Sequence, residues 1–199
     1  MALLRIIALV RASLGLQALA GTWCVVWGLL VLGGLDASAQ TAPSREYQIK
    51  AVFLFNFAQF VEWPVTAFAG PSSPIVIGVL GESPFGAYLD ETVLGEKVNN
   101  RAVEVQRYSR VEDIKTCHIL FISRSEASRL EQVLASLKER SLLVVGDGDD
   151  FVQRGGMIRL ATLQNKIRLI INVDAAQAAN LTISSKLLRS AEILTASNR

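Results

Sequence analysis

Cys117 beside His118 is the pair in this sequence that most directly invites chemistry, a thiol nucleophile next to an imidazole base. Their adjacency works against it. The run Cys117-His118-Ile119-Leu120-Phe121-Ile122 reads as a strand, and successive strand side chains point to opposite faces. His118 is the sole histidine of the chain, so no other imidazole can serve the thiol. Cys117 therefore reads as a buried structural thiol, with a redox-responsive or intermolecular role as the alternative. Asp147-Gly148-Asp149-Asp150 looks like the start of a calcium loop. That template needs glycine at its sixth position and glutamate at its twelfth, where this chain has Val152 and Ile158. A strand-to-helix turn explains the run better, with an aspartate capping a short helix that holds Phe151 and Gly155 ending it in the left-handed region. Gly78, Gly81 and Gly86 surround a turn of the kind where open parallel sheets bind ligands, and Ser83 and Phe85 are the candidate ligand contacts there. Their spacing is neither the dinucleotide fingerprint nor a phosphate loop. With no catalytic set and no zinc spacing, the expectation is a protein that is not an enzyme and carries no cofactor or metal.

These residues have to be positioned by the elements around them, and the chief of these runs from Tyr47 to Pro64. Between Ala51 and Val61 only Asn56 and Gln59 are polar, so a helix here is apolar nearly all round. Lys50 and Glu62 bracket a stretch too short to cross a bilayer. Such a helix must be covered, either wholly as a core helix or, as expected here, partly by the core and partly by another protein. Phe53, Phe55, Phe57 and Phe60 are accordingly the candidate partner or dimer contacts. Pro64 ends the helix.

Ile75-Val76-Ile77-Gly78-Val79-Leu80, the Cys117–Ile122 run and Leu142-Leu143-Val144-Val145 are continuous apolar runs, as expected of strands covered on both faces. Helices are expected from Ser83, as cap, to about Val93 and from about Ser125 to Arg140. Val103-Glu104-Val105-Gln106-Arg107-Tyr108 alternates and suits a sheet edge. Met157–Thr162 and Lys166–Val173 read as a hairpin turning at Gln164-Asn165, and one register places Ile158, Leu160, Thr162, Ile167, Leu169, Ile171 and Val173 on one face. Arg159, Lys166 and Arg168 share the other face as candidates for an anionic ligand or acidic partner, against the alternative of a solvated edge. A helix from about Ser184 closes the chain, buried through Leu187, Leu188, Ala191 and Leu194. The fold class is α/β: a single domain with a mainly parallel sheet flanked by helices and a C-terminal antiparallel hairpin.

Arg5 and Arg11, the long apolar run to Leu35 and the small residues Ala37-Ser38-Ala39 read as a signal peptide over residues 1–39, cleaved after Ala39. A retained single-span anchor is the alternative. Residues 40–44 form a linker and residues 45–199 one domain, long enough for a core of its own. Removing the signal takes two basic residues and one acidic residue from totals of 20 and 18, so charge stays near zero and nucleic acid is not an expected partner. Cys24 leaves with the signal, and Cys117 cannot form an internal disulfide alone.

Several stretches together resemble the YfiR-like family of periplasmic regulators. They are Tyr47-Gln48-Ile49-Lys50-Ala51, Asn56-Phe57 with Glu62-Trp63-Pro64, Val79-Leu80-Gly81 with Pro84-Phe85-Gly86, the Cys117–Ile122 run, Phe151 with Gly155-Gly156-Met157-Ile158, Ile171-Asn172, and Ile183-Ser184-Ser185-Lys186-Leu187-Leu188. The resemblance implies a periplasmic homodimer that binds the periplasmic domain of an inner-membrane diguanylate cyclase and represses it, lowering cyclic-di-GMP and biofilm formation. Well-known members carry cysteine pairs, whereas this chain keeps only Cys117 after export. A periplasmic small-ligand-binding protein or sensor module is the other reading.

Overall fold

The computed structural model describes residues 44–194, and every structural statement below concerns those residues. The expected signal peptide, its cleavage point, Cys24 and the linker before Ser44 lie outside them.

Helix α1 (Arg45–Phe60) opens the domain and ends three residues ahead of the pre-proline residue Trp63, where Val61 is already extended and pairs with Ile183. Strands β1 (Val61–Glu62), β2 (Ile75–Leu80), β3 (Lys97–Val98), β4 (Arg101–Tyr108), β5 (Ile119–Ile122), β6 (Leu143–Gly146), β7 (Ile158–Leu163), β8 (Lys166–Asn172), β9 (Thr182–Ile183) and β10 (Ala191–Leu194) follow. Between them lie α2 (Tyr88–Val93), α3 (Leu130–Leu137), α4 (Val173–Ala178) and α5 (Ser185–Leu188). β1 and β9 form a small antiparallel pair, and the other eight strands form one sheet in the order β10-β8-β7-β6-β5-β2-β4-β3. Its pairs are parallel except for β7 with β8 and β3 with β4.

Every residue of β2, β5 and β6 is buried, as their continuous apolar sequences require. α1 packs on β2, β5 and β8 and against α2. The α3 stripe of Leu130, Val133 and Leu137 is buried as the spacing predicts. The hairpin turns at Gln164 and Asn165, both with positive φ, the two-residue geometry that matches strand twist. It pairs Ile158 with Ile171, Leu160 with Leu169 and Thr162 with Ile167.

Only the base of the hairpin is flanked, Ile158 and Arg159 by β6 and Leu169–Asn172 by β10, while the tip that carries Lys166 and Arg168 pairs with neither strand. Three local expectations change. The closing helix stops at Leu188, and Ala191–Leu194 instead extends beside β8. A short apolar run satisfies either period, and the open edge of β8 offered backbone hydrogen bonds that a helix would not have used. The helix expected from Ser125 begins as a tight 3-10 segment, Arg124–Arg129, with Ser123 accepting from the Ser125 N–H, and becomes regular only at Leu130. Ser83 does not cap: its Oγ is buried without a partner, and the chain turns through Phe85 before α2 begins at Tyr88.

The order in which strands are added to the sheet reverses about β2, which has β4 on one side and β5 on the other. Doubly wound sheets open a crevice at such a point, beyond the carboxyl ends of the strands. Here the chain's own side chains fill it. Phe85 is fully buried, edge-on to Phe121 at 4.9 Å and to Tyr47 at 5.6 Å. Ser125 Oγ accepts the Glu82 N–H at 3.0 Å.

Candidate functional site

The most concentrated polar chemistry lies where the first turns of α1 meet the carboxyl ends of β5 and β6. Lys50 is fully buried, and its Nζ lies 2.5 Å from Glu46 Oε1 and 2.6 Å from Asp147 Oδ2. Asp147 follows β6 directly, and its side chain is also fully buried. Tyr47 donates its hydroxyl to Asp147 Oδ2 at 2.9 Å, and Arg124, just after β5, donates Nε to Oδ1 at 3.2 Å. Thr162 on β7 donates to Glu46 at 2.7 Å. Burial alone would push the Asp147 carboxyl up, but Lys50, Tyr47 and Arg124 outweigh it and hold it below the ordinary carboxylate value. Burial, and then the Asp147 charge, push the Tyr47 phenol well above its ordinary value, so it serves only as a neutral donor. Two cations balance two anions, and both Asp147 oxygens are occupied. The arrangement anchors α1 to the sheet and leaves no base free to act.

The aspartates of the 147–150 run therefore divide their work. Asp147 receives Lys50 instead of capping a helix, Asp149 pairs with Arg159, and Asp150 lies 3.8 Å from Arg154. Gly155 takes positive φ as expected. Phe151 lies flat against the backbone at Gly146 and Gly156, where any β-carbon would overlap its ring.

At the opposite end of β5, Cys117 and His118 make separate contacts. Cys117 Sγ lies 3.2 Å from the Ile119 carbonyl and 3.8 Å from that of Val76. His118 Nδ1 accepts the Val76 N–H at 3.0 Å. Burial pushes the thiol up to about 12, so it is not a thiolate at neutral pH. Cys117→Ser is expected to cost about 1 kcal/mol, a mild core change, with no loss of folding. Urea denaturation checks this, and a Cys117-linked dimer on non-reducing gels would contradict the structural assignment.

The other candidates are placed as follows. On α1, Phe57 is fully buried, while Phe53, Phe55 and Phe60 are half-buried against the core. The outward stripe is instead Ile49 and Val52, each 40% exposed, with Phe53 and Phe60 along one flank. On the hairpin, Arg159, Lys166 and Arg168 share a face, but Arg159 is turned to Asp149 and only Lys166 and Arg168 are exposed. Among the described residues no group of His, Cys, Asp and Glu is disposed to hold a metal ion. Sequence reasoning missed the Lys50–Asp147 anchor. The available signal was that Lys50 lies four and seven residues before Leu54 and Phe57, on the stripe that goes inward.

No curated protein matches the sequence. Among solved structures, one described as the ABC domain in complex with L-Trp from Streptococcus pneumonia is similar, with a TM-score of 0.48 and 15% identity over 75% of this chain and 60% of that one. This chain thus spans less than two thirds of that structure. A family profile described as YfiR/HmsC-like matches residues 47–192, from the Tyr47 that binds Asp147 to the Glu192 of β10, and the chain belongs to the YfiR/HmsC-like family.

Proposed function

We propose that the protein is a periplasmic regulator that binds the periplasmic domain of an inner-membrane diguanylate cyclase and represses it, lowering cyclic-di-GMP. The observation that carries this reading is membership of the YfiR/HmsC-like family over residues 47–192, nearly the whole described domain. The docking surface is the outward face of α1, where Ile49 and Val52 stand exposed beside half-buried Phe53 and Phe60. Adjacent apolar side chains left in water on a rigid helix are what an interface would bury. Lys166 and Arg168, exposed on the hairpin, would favour an acidic partner surface and speed encounter.

The test has two arms. Deleting the gene is expected to raise cyclic-di-GMP, and the mature protein is expected to capture a cyclase from solubilised inner membranes. Ile49→Asp with Val52→Asp is expected to leave stability within about 1 kcal/mol, since both side chains already face water. The same pair of changes should abolish capture and raise cyclic-di-GMP as deletion does. Unchanged cyclic-di-GMP on deletion would remove the regulatory reading. A double variant that represses normally would remove α1 as its surface.

A further inference from the structure

His118 is 1% exposed and stands where β5 begins beside β2. Its Nδ1 accepts the main-chain N–H of Val76 at 3.0 Å, so the ring is neutral and carries its proton on Nε2. That Nε2 makes no well-formed hydrogen bond, and the main chain at Ala67 is the polar group that bears on the ring in favour of its charged form. The segment between β1 and β2 is laid over this ring. Phe68 stacks on it with centroids 4.5 Å apart and planes 20° from parallel, and the Trp63 indole meets it edge-on at 6.2 Å. Trp63 Nε1 also donates to the His118 carbonyl at 3.1 Å. Arg101 lies 3.9 Å over the Phe68 ring and donates to the carbonyls of Gly70 and Ser73. The segment from Trp63 to Ser73 is thus pinned to the sheet at two places, at Trp63 and Phe68 through His118 and at Gly70 and Ser73 through Arg101.

A second proton has one place to go, and it is Nδ1. There it would turn the acceptor of the Val76 N–H into a donor, setting two N–H groups against each other at the start of the central strand. The resulting cation would be enclosed by aromatic rings and main chain. The charge that bears on the ring is that of Arg101, which opposes it. Glu62 and Arg101 line a cavity of about 160 Å³ on the Trp63 side. Lys115, Glu139 and Arg140, with the Cys117 thiol, line one of about 480 Å³ beside Thr66 to Ala69. None of these carboxylates is hydrogen-bonded to the ring, so no counter-charge is in place to receive an imidazolium.

We propose that His118 is an acid-sensitive latch whose protonation breaks the Val76 hydrogen bond and releases the part of the segment that packs on its ring, Trp63 to Phe68, from the sheet. The latch rests on the fold alone and does not require the cyclase reading. Burial, with Arg101 adding to it, outweighs the Ala67 main-chain contact that favours the charged ring and lowers the folded ring's affinity for protons below the ordinary histidine value. The closed form therefore binds fewer protons than the open form. Closure is fully favoured above about pH 6.5, the ordinary histidine value, and weakens as pH falls from there toward the depressed value of the closed state. Release would also free the two cavities from their shared wall, Phe68.

Hydrogen exchange of the mature chain between pH 7.5 and 5.0, corrected for the intrinsic pH dependence of amide exchange, tests the latch. Protection of peptides covering 63–76 is expected to fall by at most about tenfold per pH unit below about 6.5, levelling off at the closed-state value, while α3 keeps its protection. His118→Asn places an amide oxygen near the Nδ1 position without a titrating group, and its protection is expected to be flat across the range. If that variant does not fold, carbon-13 NMR of the His118 Cε1 in the native chain reads the same titration and should show a midpoint below the ordinary value. The proposal is overturned by constant protection of 63–76 in the native chain, by an equal loss in the Asn variant, by simultaneous loss at α3, or by a ring that titrates at or above about 6.5.

Discussion

Asp147→Ala is expected to destabilise the domain by about 3 kcal/mol. Removing one member of a buried ion pair typically costs 3–5 kcal/mol, because the surviving charge is left without its counter-charge in a low-dielectric interior. Lys50 is that survivor here, fully buried with its Nζ 2.6 Å from the lost carboxylate. Glu46, at 2.5 Å and partly exposed, remains to hold it, which places the cost at the lower end of the range. Lys50→Met together with Asp147→Leu should recover most of the loss, since well-packed apolar residues replace buried pairs at little cost. Chemical denaturation of the two single variants and the double variant measures the coupling directly. A coupling energy near zero would mean that the pair does not anchor α1. The same carboxylate sets an acid limit. Its folded value is depressed, so its contribution is complete above about pH 4 and is lost as pH falls through that lower value. This window lies below that of His118, and the two separate in a titration of stability.

Phe57→Ala is expected to cost about 3–5 kcal/mol, the usual price of deleting a fully buried aromatic ring. Phe53, Phe55 and Phe60 are half-buried, and truncating any of them is expected to cost about 1–2 kcal/mol. The contrast separates core from surface on one helix whose sequence looks uniformly apolar. Urea midpoints at unchanged slope read the difference. If Phe57→Ala lost little stability and yet weakened partner capture, the assignment of that ring to the core would be wrong.

The strands β2, β5 and β6 were legible in advance because a run of β-branched and aliphatic residues bounded by turn residues has few other ways to bury itself. The hairpin register was equally legible. Alternation with period two and a turn tolerant of positive φ at Gln164 and Asn165 allow one pairing that keeps both apolar faces together. Both are local properties, decided within a dozen residues. Ala191–Leu194 was not legible, because four residues satisfy either period and the vacant edge of β8 made the choice. Nor was the fate of the four phenylalanines. Helical spacing identifies which residues share a stripe, but on a helix apolar all round it does not say which stripe faces the sheet. Lys50 decided that. It bonds Asp147 across 97 positions of sequence, and that contact exists only because the parallel sheet brings the end of β6 beneath the first turns of α1. Composition and periodicity determined the class of fold and the strands β2, β5 and β6 with the hairpin. The partnering of distant charges, the closed crevice at Phe85 and the stacking of Phe68 on His118 came from tertiary structure alone, because each depends on where strands end in space, which no local pattern encodes.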